Sequence, residues 1–333
     1  MRADVQVGVA SPERPRMFRS PPRFSDPALP PLDEADRRLI DLLMADGRAS
    51  GRDLAQRSGI SEANVSRRLA RLIEERSIRI AAFVPPELLG FDAGFVAYVK
   101  LRGDGDVLAQ ALLARPEIVW ISTSYGAWDM LVYIVAKSLS DASRLVDEAV
   151  LSHPAVHHIE SRAVVRFEDP WHGITAEQTA DAARAIDDTD RMIIRQVQHD
   201  GRLSFTDIAN NTGISATSAA DRFRRLVADG IVRIVTIPDP SRVGLGLSAI
   251  GTARVGRAVR EVIADLARIE GIGFFTILTG SHQVGFEVGA RDEAHLDAIR
   301  DSVLGVQGVQ DLTFSIHRKV YRQSFAWGAA NGP

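Results

Sequence analysis

The chain has 333 residues, of which 45% are hydrophobic and 25% charged, with a formal net charge of −3 and no cysteine. Such a length exceeds one ordinary core, so each half can bury its own. The missing thiols exclude a disulfide framework, an iron–sulfur cluster and a thiolate zinc site. No run approaches the roughly 18 apolar residues that cross a bilayer. The N-terminus lacks the apolar core of a signal peptide, and the expected location is a reducing cytoplasm.

Residues 1–31 are rich in Pro and Arg and are expected to form a disordered arm. Leu32-Asp33-Glu34-Ala35-Asp36 then opens a helix: Asp33 can cap it, and Leu39, Ile40, Leu42 and Leu43 make its apolar face. Arg52 to Ser58 reads as a shorter helix, Gly59-Ile60 as a turn, and Ser61 as the N-cap of a second helix. In that helix Val65, Leu69, Leu72 and Ile73 share one stripe, while Asn64, Arg67 and Arg71 lie roughly opposite with Arg68 on the flank. An amide and guanidinium groups on an exposed face can meet phosphates and base edges. Ile78 to Val84 reads as a short hairpin wing, stopped by Pro85-Pro86. Residues 32–84 are thus expected to form a winged helix-turn-helix.

A different texture follows over residues 85–168. Strands are predicted at 95–101, 118–123, 130–136 and 159–167, with helices at 106–115 and 141–151. The order βαββαβ predicts a ferredoxin-like sandwich with helices on one face of an antiparallel sheet. Its other face would carry more apolar side chains than one helix layer covers, so pairing through these sheets is expected, in a homo-oligomer or, where the unit occurs twice in one chain, as a pseudo-dimer within a single polypeptide.

The chain then repeats itself. Asp46-Gly47-Arg48 returns as Asp200-Gly201-Arg202, Gly59-Ile60-Ser61 as Gly213-Ile214-Ser215, and Arg68, Arg71 and Leu72 as Arg222, Arg225 and Leu226. Every pair is 154 residues apart (200 − 46 = 154), and Gly126 and Gly280 keep the offset. One long period means a duplicated unit rather than a solenoid. The expected order is a linker over 169–185, a second winged helix-turn-helix over 186–238, a second sandwich over 239–325 and a tail over 326–333. The expected class is therefore α+β, two winged helix-turn-helix domains alternating with two ferredoxin-like domains. Segments 61–80 and 215–234 each carry a local charge of +2 (five Arg against three Glu; four Arg against two Asp), a modest patch for nucleic acid.

These residues resemble the Lrp/AsnC (leucine-responsive) family of bacterial transcriptional regulators. The opening Leu32 to Ile40, the Asp-Gly-Arg step, the Gly-Ile-Ser turn, the Arg-x-x-Arg-Leu helix and the Leu89-Gly90 joint carry the resemblance, which covers nearly all of residues 32–325. It implies double-stranded DNA as partner, a sensor domain for an amino acid or similar metabolite, and pairing of sensors. The DNA-binding candidates in the first copy are Ser61, Asn64, Arg67, Arg68, Arg71 and Arg79. Those in the second are Ser215, Thr217, Ser218, Arg222, Arg225 and Arg233. The family's sensor signature, Thr-Gly-x-x-Asp, survives in halves. Tyr125-Gly126-Ala127-Trp128-Asp129 keeps Gly and Asp, and Thr279-Gly280-Ser281-His282-Gln283 keeps Thr and Gly. Tyr125, Gly126, Trp128 and Asp129, with Thr279, Gly280, His282 and Gln283, are the effector-binding candidates, Asp129 as the acceptor for an ammonium.

Other constellations are weaker. His153, His157 and His158 with His172 lack a supporting carboxylate pair, so no metal is expected. No cofactor is expected either, and no nucleophile, base and orienter stand out. Siroheme decarboxylases share the two-domain architecture and can occur as fused halves. They resemble one another in an Arg-His step at the wing end and an Asn-x-Met-type segment in the first sensor strand. Here those places read Ala81-Ala82-Phe83-Val84-Pro85 and Ala93-Gly94-Phe95-Val96-Ala97. The expectation is a sequence-specific DNA-binding regulator and not an enzyme, with the decarboxylase as the alternative.

Overall fold

The computed structural model describes residues 29–168 and 186–327. Most of the expected arm, the linker over 169–185 with His172, and residues 328–333 lie outside the described residues. The first unit opens with α1 (Glu34–Ala45), α2 (Gly51–Ser58), α3 (Glu62–Glu74) and β1 (Ile78–Phe83). Each start is fixed by a side chain that satisfies orphan backbone donors. Asp33 and Asp36 form a reciprocal capping box on α1, Ser50 caps α2 and Ser61 caps α3. Gly59 ends α2 at φ 78°, a left-handed value that favours glycine. The apolar stripes of the three helices meet in one core containing Leu39, Ile40, Leu54, Val65 and Leu72. The second copy repeats this with α6 (Asp188–His199), α7 (Phe205–Thr212), α8 (Ala216–Ala228) and β6 (Arg233–Pro238), capped by Asp187, Ser204 and Ser215.

The wing differs from the expected hairpin. β1 is a single strand, and it pairs antiparallel with β6 of the other copy, from Ile78 opposite Pro238 to Phe83 opposite Arg233. A lone strand leaves a row of unpaired N–H and C=O groups, and the other copy's strand supplies the missing partner. A reciprocal clamp reinforces the joint. Arg48 donates to the carbonyls of Gly201 and Leu203 at 3.0 and 2.9 Å, and Arg202 donates to those of Gly47 and Ala49 at 2.8 and 3.0 Å. Burial at this joint lowers the pKa of both arginines.

The first sensor unit contains β2 (Ala93–Leu101), α4 (Asp106–Leu112), β3 (Ile118–Gly126), β4 (Met130–Ala136), α5 (Leu139–Leu145, continued by a π-turn over 146–151) and β5 (Val156–Glu168). The second contains β7 (Leu247–Val255), α9 (Val259–Leu266), β8 (Ile272–Leu278), β9 (Val284–Ala290), α10 (Glu293–Leu304) and β10 (Val309–Gln323). Both have the expected βαββαβ order, with helices packed on one sheet face. The last strand of each copy is longer than predicted. β5 runs on to pair with β8, and β10 runs on to pair with β3, which closes the two sheets into one eight-stranded barrel. Of the two pairings expected for the open sheet face, the structure has the one within a single chain: each face is covered by the other half.

The two inner faces are unequal. In the first copy Tyr98, Leu131 and Tyr133 fill the interior, and at the same offset the second copy has Thr252, Gly285 and Glu287. A Cβ on Gly285 would meet Thr276 Oγ1 at 2.4 Å, so this face is held small. Beyond β10 the first two residues of the expected tail, Ala326 and Trp327, are buried. Phe325 and Trp327 are buried against Phe83, Phe167 and Phe274 where the wings meet the barrel. Among the described residues no helix is long and apolar enough to cross a membrane.

Candidate functional site

The two recognition helices, α3 and α8, each present one exposed face. In the first head Ser61 accepts from the Asn64 backbone N–H at 3.4 Å, and the Asn64 side chain accepts from Arg67 at 2.8 Å. Asn64 and Arg67 are both exposed. Arg68 and Arg71, expected on DNA, are committed elsewhere. Arg68 bridges Asp33 at 2.8 Å and the buried Asp36 at 2.7 Å, and Arg71 reaches Asp36 at 2.6 Å. Hydrogen bonds to Asp36 raise the pKa of both arginines, and the Asp36 backbone N–H and the Arg68 guanidinium lower that of Asp33. A buried carboxylate needs such partners, and they tie α3 to α1.

The second head keeps that frame and changes the face. Arg222, another DNA candidate, bridges Asp187 at 2.6 Å and the fully buried Asp190 at 2.9 Å. Ser215 accepts from the Ser218 N–H at 3.1 Å, while Thr217 and Arg225 are exposed. Asp221, at the place of Arg67, pairs with Arg224 on its own helix. In the wings Arg79 is not a DNA-facing residue. Its guanidinium donates to the Gln323 carbonyl at 2.5 Å, and burial pushes its pKa down to about 10. Arg233, its counterpart, is half-buried at the wing junction.

The sensor turns show why each half-signature suffices for folding. Gly126 lies at φ 117° with the Phe314 carbonyl 2.7 Å from where a Cβ would stand, so only glycine fits. Asp129 accepts from the Leu101 N–H at 2.9 Å and faces Lys100 at 3.3 Å, and Lys100 also donates to the Gly126 carbonyl at 3.2 Å. Gln283 does both jobs in the other turn. Its Oε1 accepts from the Val255 N–H at 3.0 Å, and its Nε2 donates to the Gly280 carbonyl at 3.1 Å. The amide thus replaces a carboxylate and a lysine together. The charge of Asp129, expected to meet an effector ammonium, is already countered by Lys100.

The neighbours of these turns divide differently. Tyr125 is exposed, and Trp128 stacks on His158 and leans on Tyr98. Thr279 exchanges hydrogen bonds with the Ala163 backbone, N–H to carbonyl at 2.9 Å and N–H to hydroxyl at 3.1 Å, which fixes the second turn to β5. His282 faces Asp311 at 3.4 Å, and burial lowers its pKa. Of the other histidines, His153 accepts from the Ala155 N–H at 3.2 Å. The clamp arginines Arg48 and Arg202 were missed as functional, although the repeated Asp-Gly-Arg step marks both.

Comparison with known proteins fits this geometry. Residues 32–79 and 186–233 match the winged helix-turn-helix DNA-binding family, and residues 96–168 match the Lrp/AsnC ligand binding domain. The HTH-type transcriptional regulator FL11 of Pyrococcus horikoshii is 30% identical over 138 residues, which span 41% of this chain and 91% of that protein. The transcriptional regulator AzlB of Bacillus subtilis is 27% identical over 137 residues, 39% of this chain and 87% of AzlB. Over most of its length the chain has the fold of the siroheme decarboxylase NirDL, with a TM-score of 0.61 at 14% identity, covering 87% of this chain and 93% of that one. That likeness overturns the expectation, drawn from the missing wing Arg-His step and Asn-x-Met segment, that the chain is not an enzyme, because an enzyme is built on this fold. In sequence and domain content, the chain belongs to the Lrp/AsnC family of DNA-binding transcriptional regulators, as a tandem duplication within one polypeptide.

Proposed function

We propose that one chain reads one operator with two unequal heads, and that a small metabolite of amino-acid type tunes this binding. The observation that carries the reading is the shared β1–β6 sheet with its Arg48–Arg202 clamp, which fixes two recognition helices relative to each other. Two heads on one chain are already at high effective concentration, so the second contact needs no bimolecular step. Asn64 suits adenine through two hydrogen bonds, and Arg67 suits guanine or a phosphate. Asp221 is repelled by phosphate, so the second head adds less. The operator is then two half-sites of unequal strength.

A route for the effector response runs through β10. This strand passes from the barrel to the wings, where the carbonyls of Gln323 and Phe325 accept from Arg79 and Gln198, and Trp327 donates to the Val84 carbonyl. A ligand that moves β10 would bias the heads through these three bonds. The test is fluorescence anisotropy on operator DNA found by genome-wide mapping, with and without amino acids. Saturation at one chain per operator, with affinity shifted by one ligand, supports the reading; two chains per operator would defeat it. A second reading, tetrapyrrole chemistry, rests on the whole-chain fold shared with NirDL and is tested by an absorbance screen with iron-uroporphyrin.

A further inference from the structure

Between the aromatic wing end of the barrel and the sensor turns, the interior holds polar groups without partners. Tyr98 on β2 stands opposite Glu160 on β5, and Arg162 on β5 lies over the Tyr98 ring at 4.8 Å. Arg162 donates from Nε to Glu160 at 2.7 Å. From the facing sheet come Glu287 on β9 and His317 on β10, the His317 ring wholly buried, 5.5 Å from Trp120. His317 Nε2 is 3.5 Å from Glu287 but not aligned for a hydrogen bond. Tyr98 Oη, Arg162 Nη1 and both ring nitrogens of His317 have no hydrogen-bond partner among the described residues.

Buried polar atoms are nearly always satisfied, so four such atoms on three side chains in one interior call for something to bond them. The feature is also not repeated by the duplication. At the offset of Tyr98 the second copy has Thr252, which is satisfied by Thr313 at 2.7 Å. Among the described residues the cluster occurs once, and its chemistry is divided. A guanidinium N–H and a phenol O–H donate on one wall, which suits a carboxylate. The Glu287 carboxylate and an imidazole nitrogen accept on the other, which suits an ammonium.

We propose that this interior binds one small zwitterion per chain, its carboxylate on Arg162 Nη1 and the Tyr98 hydroxyl, its ammonium between Glu287 and His317. This deepens the effector reading above, on which it rests for its regulatory meaning, and moves the site from the sensor turns into the barrel. Trp120 and Trp128 flank the site and report on it. The test uses the full chain, the common L-amino acids as probes up to millimolar concentration, tryptophan fluorescence and calorimetry. Saturable binding of at least one probe at one site per chain is expected, with at least about tenfold weakening in Glu287→Gln and in His317→Gln. Glu287 is partly exposed, so its isosteric variant is the one expected to fold, checked by its melting curve. Asp129→Asn at the first turn should bind as well as the parent. A probe that binds here without changing DNA affinity keeps the site and removes the effector reading. A DNA response that survives intact in Glu287→Gln keeps the effector reading and overturns the site. No saturable signal from any probe would leave the cluster to ordered water and overturn the proposal.

Discussion

In the first head an amide and a guanidinium, Asn64 and Arg67, stand together on the exposed face of the recognition helix; in the second, Ser218 and a self-paired Asp221 stand there. Underneath, the two heads are nearly identical, with the same caps, the same left-handed glycines and the bridges of Arg68 to Asp33 and Asp36 repeated by Arg222 to Asp187 and Asp190. The sensor halves divide in the same way. Their strand order is shared, yet Tyr98, Leu131 and Tyr133 in one face Thr252, Gly285 and Glu287 in the other. A symmetric pair of chains must place the same side chain on both sides of an interface. Duplication within one chain lifts that condition, so large residues can settle against small ones and one head can specialise.

Loss of the clamp carries the largest expected effect. Arg202→Ala leaves the carbonyls of Gly47 and Ala49 without their donor, at about 1–3 kcal/mol each. Arg48→Ala does the same to Gly201 and Leu203 and also strips a guanidinium from the rings of Phe205 and Phe223, each 4.7 Å away, for roughly 1 kcal/mol more. Urea unfolding should rank Arg48→Ala below Arg202→Ala, and equal losses would show that the stack contributes nothing. On DNA, Arg67→Ala is expected to weaken binding by about 1–3 kcal/mol. Asp221→Ala should change it by no more than about 0.5 kcal/mol or tighten it slightly. Titrations of both variants on the same operator measure this directly.

The turns give a smaller effect. Gln283→Ala removes the acceptor of the Val255 N–H and should cost about 1 kcal/mol in thermal unfolding. Asp129→Asn keeps an acceptor for Leu101 and loses only a half-exposed pair with Lys100, so about 0.5 kcal/mol or less is expected. The smallest effect concerns pH. His199 stands where the first copy has Ala45, and burial, with the charge of Arg79 nearby, lowers its pKa. The unfolded chain then binds more protons, so the stability from this group is full above about pH 6.5 and is lost as pH falls through the folded pKa. His199→Ala should flatten the decline in melting temperature between pH 7 and pH 5. An unchanged slope would assign it to His282 and the remaining groups.

Much of this was legible in the sequence because it is local. Ser61 and its repeat Ser215 announce helix starts, Gly59 and Gly213 announce the turns before them, and the fixed offset announces the duplication. What pairs across more than 100 residues was not legible. Periodicity shows that Ile78 to Phe83 is extended, but nothing in it names β6 as the partner or closes β5 and β10 into a barrel. The exposed faces of the two recognition helices were only partly legible. Helical spacing places Arg68 and Arg71 near Asn64, yet Asp36, a residue of another helix, takes both. The repeat of Asp33, Asp36 and Arg68 as Asp187, Asp190 and Arg222 was the signal of a structural bridge. Gln283 read as a lost charge, whereas one amide does the work of Asp129 and Lys100 because the strand needs an acceptor and the turn carbonyl needs a donor.

On the proposed function, a single chain lies on its operator in one direction with two different heads. The chain has no cysteine, so one introduced thiol is unique and can carry a DNA-cleaving reagent. Ala63 and Thr217 are exposed, equivalent positions in the first turns of α3 and α8. Attached through Ala63→Cys, the reagent should cut one half of the operator, the half whose loss costs more affinity. Attached through Thr217→Cys, it should cut the other half. Equal cutting of both halves from either position would mean that chains bind in both directions or in symmetric pairs, and would contradict the account.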